Sequence, residues 1–322
     1  MDVERFCTTA RVVIVAGKGG VGKTTVTAAL AVCAARVGLS VLIVEVEGKS
    51  GLAAAFGSRD LGYDEIDLAP GVRARTLTPD AALIDWLEGN GFGRIARRLG
   101  ASGVIEVVAS AVPGMQDILV LGKVRSLEQQ GAHDLILVDA PAAGHAISFL
   151  TSPAGLADVV AAGPVRAQAA EASAMLADPR RTRVMLVTAP EETPVNEAIE
   201  TAFALEDRVG VALGPIVVNG IYPPIGDPAA PDDLVSISAD AEAADLPIAE
   251  GAAADLAAAV AFRRARTAVQ EHQAAQLASA LPLPQLRLPF IFEAEIGRPQ
   301  LEHLADALAA GIASLPDLEA PG

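Results

Sequence analysis

The sequence predicts an α/β fold: a doubly wound, mostly parallel sheet carrying helices on both faces, with an inserted helical subdomain. Three observations predict it. Val12–Ala16 is a short β-branched run that passes straight into glycines. Lys23–Val37, of helix-forming composition, and the apolar run Val41–Val46 follow at once. Further apolar runs of strand length then alternate with helix-length segments along the chain. A strand, tight turn, helix and second strand form a crossover unit, which implies a parallel pair. Repetition of that unit implies a doubly wound sheet.

Val12–Ala16 and Val41–Val46 are apolar almost throughout rather than alternating, the pattern of strands buried on both faces. The first helix stops at Gly38, a residue suited to the left-handed C-terminal position. Leu135–Val138, Val184–Thr188 and Ile216–Asn219 read as further buried strands, with Gln285–Leu288 and Val72–Leu77 as weaker candidates. Glu192–Glu206, about 252–281 and Gln300–Ile312 read as helices between them. Two stretches, about 79–130 and 153–178, look helical without a strand and are expected to form the subdomain beside the sheet. The stretch 222–247, rich in Pro, Asp and Ala, reads as a loop or mobile segment. The whole chain, 1–322, reads as one domain.

Composition narrows the function classes. Hydrophobic residues make up 52% of 322 residues but aromatics only 3%, so aliphatic side chains must fill the core. With 24 basic and 40 acidic residues the net charge is −16. Such a surface repels nucleic acid and anionic lipid headgroups, so neither partner is expected. Cys7 and Cys33 form no CxxC pair, so no zinc site or disulfide framework is expected. Cys33, among Ala and Val, reads as a buried apolar residue. No secretory pattern and no run of 18 apolar residues is evident, so the expectation is a reduced, cytoplasmic protein without direct membrane insertion.

The chemistry concentrates in Gly17-Lys18-Gly19-Gly20-Val21-Gly22-Lys23-Thr24-Thr25. It satisfies G-x-x-x-x-G-K-[ST] between a predicted strand and a predicted helix, the context that gives the motif its meaning. Glycines let backbone N–H groups turn inward around an anion, and the helix N-terminus adds partial positive charge. Gly19, Gly20, Val21, Gly22 and Thr25 are expected to cradle phosphates. Lys23 is expected to reach the β- and γ-phosphates of ATP, and Thr24 to place its hydroxyl on Mg²⁺. Asp139, closing the run Leu135–Val138, is the expected second carboxylate at Mg²⁺, acting through water.

Lys18 turns the motif into K-G-G-x-G-K-T-T, which resembles the deviant Walker A P-loop ATPases, a class that includes ParA, MinD and ArsA. Val138-Asp139-Ala140-Pro141-Ala142-Ala143-Gly144-His145, followed by Phe149-Leu150, resembles the switch II segment of the ArsA/tail-anchored-protein targeting ATPase family. Pro113-Gly114-Met115-Gln116-Asp117 resembles a helix start of that family, and Leu288-Pro289-Phe290 with Glu293–Gly297 resembles its C-terminal pattern. The likeness extends to the shorter ArsA-like ATPases of actinobacteria. It implies that Lys18 reaches across a dimer to the partner's nucleotide, as an arginine-finger equivalent. It also implies that Gly144 senses the γ-phosphate, that Asn219 reads the adenine edge, and that Pro289 and Phe290 flank the base.

One departure bears on rate. The family carries D-P-A-H after its second strand, where this chain has Glu47-Gly48-Lys49-Ser50. Glu47 is therefore the expected water-positioning residue and, through water, a metal-side carboxylate. Its extra methylene moves the oxygen by about 1.5 Å, a misplacement that can cost on the order of 10²-fold in rate. The resemblance thus implies a slow, dimeric ATPase using ATP/ADP and Mg²⁺ as a conformational switch. Its partner is a second copy or a paralogue, and its client an unidentified protein or small molecule. Alternatives are a non-hydrolysing nucleotide-gated adaptor, or passive half of a heterodimer, and a ParA/MinD-type positioning ATPase.

Overall fold

The computed structural model describes residues 1–46, 51–58, 60–89, 91–94, 96, 114–223 and 252–316. In chain order the elements are α1 (Val3–Cys7), β1 (Val12–Gly17), α2 (Lys23–Arg36), β2 (Val41–Val46), α3 (Leu52–Ala55), β3 (Ile66–Ala69), β4 (Val72–Leu77) and α4 (Pro79–Gly89). They continue with α5 (Met115–Gln130), β5 (Leu135–Ala142), α6 (Ala143–Val159), α7 (Pro164–Ala177), β6 (Thr182–Thr188) and α8 (Glu192–Val209). β7 (Ala212–Leu213), β8 (Ile216–Ile221), α9 (Ala252–Ala280), β9 (Gln285–Pro289) and α10 (Arg298–Ser314) complete the described chain.

The strands form one sheet in the order β3-β4-β2-β5-β1-β6-β8-β9, with β7 beside β6. Every pairing is parallel except β3–β4 at one edge. β1 lies centrally, flanked by β5 and β6. The chain fills one half of the sheet and then the other, which leaves a crevice at the carboxyl end of β1.

The two sheet faces explain the apolar runs. Val15, Ile43 and Leu137 point to one face, where α2 and α10 cover them with Ala28, Leu30, Leu304 and Leu308. Their neighbours Ile14, Leu42, Val44, Ile136 and Val138 point to the other, under α5, α6 and α8. α2 is buried over Val26–Ala34 because it lies between the sheet and α10. That explains a helix with no polar stripe, and it encloses Cys33.

Helices of the 79–130 and 153–178 stretches reach the core directly. Val120, Leu121, Val124 and Leu127 of α5 and Met175 and Leu176 of α7 share a cluster with the strands. α4 packs separately, with Ala82 and Leu83 against Leu119 and with Trp86 and Leu87 beside them. Residue 95, residues 97–113 and residues 224–251, which take in most of the expected 222–247 segment, lie outside the described residues.

One weaker expectation is borne out, one strand was not expected, and one strand runs further than expected. Val72–Leu77 is a full parallel strand beside β2. Its signal was weakened by Arg73 and Arg75, and Arg75 is in fact buried, stacked 4.5 Å over the Tyr63 ring. Ile66–Ala69 is a strand the pattern did not reveal, a short, half-exposed edge joined to β4 through Pro70-Gly71, with Gly71 at φ 77°. β5 runs past Asp139 to Ala142, so Asp139 lies within the strand, although the pairing with β2 ends there.

Candidate functional site

The glycine-rich turn connects the end of β1 to the first residue of α2 and bends tightly. A Cβ on Gly17 would lie 2.1 Å from the Val187 carbonyl oxygen of β6, so only glycine lets these backbones approach. Gly22, at φ 90°, sets the left-handed turn into α2, and a Cβ there would lie 2.3 Å from Asn219 Nδ2. Gly20 also has positive φ, at 85°, but faces open space. Gly22 provides no side-chain cap for α2, whose N-terminal end carries a partial positive charge toward the turn.

Two of the three side chains expected at Mg²⁺, Thr24 and Asp139, are in contact. Thr24 Oγ1 donates to Asp139 Oδ2 at 2.7 Å, and Asp139 is only 4% exposed. Lys23 Nζ donates to the Lys18 carbonyl at 3.2 Å, folding back across the loop. Burial lowers the Lys23 pKa, while the charge of Asp139 raises it. Among the described residues, no group of three or more His, Cys, Asp or Glu side chains forms a metal cage. The donor set, one hydroxyl and one carboxylate beside an anion cradle, fits a magnesium ion that takes its remaining ligands from phosphate and water.

Lys18 is held within its own chain. Its Nζ donates to Glu197 Oε1 of α8 at 2.5 Å, with both side chains about one-third exposed. Gly144 falls in the first turn of α6, two residues after Ala142, which pairs with Gly17. The start of α6 therefore lies beside the glycine-rich turn.

Beyond the loop lies a cavity of about 880 Å³. Lys18, Gly19, Gly20, Val21 and Thr25 line it, and so do Asn219, Pro289 and Phe290. Residues some 200 positions apart in sequence thus share one wall. Asn219 Nδ2 donates to the Val21 carbonyl at 2.9 Å, tying β8 to the loop. The Phe290 amide donates to Ile221 O at 2.8 Å, and its ring meets Tyr222 edge-on with centroids 5.0 Å apart. Arg263 of α9 lies over the Tyr222 ring at 4.1 Å. Glu47 lies outside the described residues.

Sequence reasoning passed over two residues here. Glu197 carries no motif, and only folding brings it to Lys18. Glu45 had a visible signal, a lone charge inside the apolar run Val41–Val46. It is 4% exposed, pairs in register with Asp139, and accepts from Thr76 Oγ1 at 2.8 Å.

Residues 10–164 match the family of anion-transporting ATPases (ArsA). ATPase BagA of Mycobacterium tuberculosis is 32% identical over 325 residues, covering 93% of this chain and 92% of BagA. ATPase GET3 of Chaetomium globosum is 31% identical over 154 residues, 47% of this chain and 45% of its own. ATPase GET3 of Podospora anserina is 32% identical over 149 residues, 45% of this chain and 44% of its own.

Proposed function

This chain belongs to the anion-transporting ATPase family, and on that premise we propose that it binds Mg·ATP at the Gly17–Thr25 loop, hydrolyses it slowly and uses it to switch a dimer. The observation that carries this reading is the contact between Thr24 and Asp139 at the uncapped start of α2, beside the cavity lined by Asn219, Pro289 and Phe290.

The triphosphate lies along the loop, its oxygens facing backbone N–H groups and the α2 dipole. Lys23 exchanges its bond to the Lys18 carbonyl for the β- and γ-phosphates, whose negative charge favours its protonated form. Thr24 and Asp139 would hold Mg²⁺, which would supply charge neutralisation for the phosphates. Glu47 orients the attacking water. The water oxygen bonds to the γ-phosphorus as the bond to the β,γ-bridging oxygen breaks, giving ADP and phosphate. The longer Glu47 side chain makes this step slow.

In the dimer Lys18 leaves Glu197 and meets the γ-phosphate bound to the other chain. Gly144 reports the loss of that phosphate, and the helices of 79–130 and 153–178 shift in response. The second chain is another copy or a paralogue, and the client is a protein or small molecule. A net charge of −16 disfavours nucleic acid. Among the described residues, no helix is long and apolar enough to cross a membrane.

The test is calorimetry with Mg·ATP on the wild type, Lys23→Ala and Asp139→Asn, joined to phosphate release and mass measurement in ADP and in a transition-state analogue. Binding lost in Lys23→Ala, with affinity that no longer depends on Mg²⁺ in Asp139→Asn, is expected. No heat with the wild type removes the nucleotide reading. Stoichiometric binding with zero turnover removes hydrolysis but keeps binding. A monomer in the analogue removes the dimer.

A further inference from the structure

α9 contributes Arg266, Val269, Gln270 and Gln273 to the wall of the nucleotide cavity. Spacings of three and four place these side chains along one face of the helix. Both ends of the Gln270 carboxamide are engaged. Its Oε1 accepts the Tyr222 amide at 2.8 Å, and its Nε2 donates to the Gly220 carbonyl at 3.1 Å. It fastens the exit of β8 to α9.

Gln273, one turn later, is only 8% exposed, and its Oε1 is enclosed without a hydrogen-bond donor. Buried acceptors are nearly always paired, so one left over on a ligand cavity calls for an explanation.

The cavity is where the base of a bound nucleotide belongs, since Asn219, Pro289 and Phe290 line it too. Asn219 has already committed one Nδ2 N–H to Val21. Adenine presents an amino donor beside a ring-nitrogen acceptor, and a side-chain carboxamide matches that pair with its oxygen and its amino group. A 6-oxo purine presents a carbonyl in place of the amino group and sets acceptor against acceptor. We propose that Gln273 determines base specificity, its carboxamide pairing with the 6-amino edge of adenine and disfavouring 6-oxo purines. This rests on the Mg·ATP reading above.

The test is calorimetry of Mg·ATP and Mg·ITP binding to the wild type and to Gln273→Met, which keeps the length and removes the hydrogen bonds. The wild type is expected to prefer ATP by about tenfold or more, because a site built around a hydrogen bond rejects a ligand that cannot make it. Gln273→Met is expected to lose about tenfold in ATP affinity and about twofold or less for ITP, so the preference largely disappears. A preference that survives in Gln273→Met overturns the proposal, and so does a wild type that binds both nucleotides equally. If Gln273→Met does not fold, Gln273→Asn, whose amide is withdrawn by one methylene, is expected to reduce the preference, and an unchanged preference again overturns it. A wild type that binds neither nucleotide overturns the ATP reading as well, and so separates the two failures.

Discussion

Removing the Lys18–Glu197 pair is expected to favour the nucleotide-bound dimer. The pair spans 2.5 Å, and its side chains are 35% and 38% exposed. Pairs this open to solvent contribute about 0.2–1 kcal/mol. Each chain entering the dimer gives up one such pair, so Glu197→Ala lowers the cost of dimerisation by about 0.4–2 kcal/mol for two chains. That corresponds to a dissociation constant about 2- to 30-fold smaller. Glu197 lies within α8, where alanine is a good helix former, so the change is expected to leave folding intact. The assay is sedimentation velocity over a concentration series, in Mg²⁺ with a non-hydrolysable ATP analogue. The wild type and Glu197→Ala are compared at low salt and at about 0.5 M salt, where screening is expected to narrow the difference between them. A Glu197→Ala dissociation constant equal to or larger than the wild-type value refutes the idea that this contact restrains Lys18.

Three further outcomes follow from the same geometry. Gly17→Ala is expected to destabilise the fold by several kcal/mol, since its methyl would overlap the β6 backbone 2.1 Å away, whereas Gly20→Ala, at φ 85° in open space, is expected to cost only about 1–2 kcal/mol of strain; denaturant melts that rank the two equally contradict this. Burial, with the Cys33 thiol adding to it, pushes Cys7 up to about 12, and burial pushes Cys33 up to about 11; iodoacetamide at pH 8 is therefore expected to leave both thiols unmodified in the native protein and to modify both in urea, as read by mass spectrometry. Hydrogen bonds from the Ser40 hydroxyl and amide hold the Asp134 carboxyl below its usual range; the stabilisation is present above the ordinary carboxylate value and is lost as pH falls through the lowered folded value, so the deficit in melting temperature of Ser40→Ala at pH 7 is expected to shrink as the pH is taken well below the ordinary carboxylate range.

The legible parts of the site are local ones. The phosphate turn could be read because its requirements lie within nine consecutive residues, and the structure gives them the expected strand on one side and helix on the other. Asp139 could be read because four apolar residues ahead of it mark a buried strand. Glu45 was equally local and was passed over, as a charge inside a strand-like run rather than at its end. β4 was nearly lost, because Arg73 and Arg75 broke the apolar pattern while the tertiary fold provided Arg75 with Tyr63 and Glu65.

Sequence alone therefore determined most of the buried strands, the main helices and the glycine-rich turn, because backbone sterics and hydrophobic periodicity act over a few residues. Only the tertiary structure decided that β5 enters between β1 and β2, which places Asp139 against Thr24. It also decided that Glu197 meets Lys18, that Asn219 closes onto Val21, and that Gln273 lies with an enclosed acceptor on the cavity wall. Each of these contacts joins residues more than fifty positions apart. Such contacts are set by how the helices and strands pack together, and no local pattern in the chain encodes them.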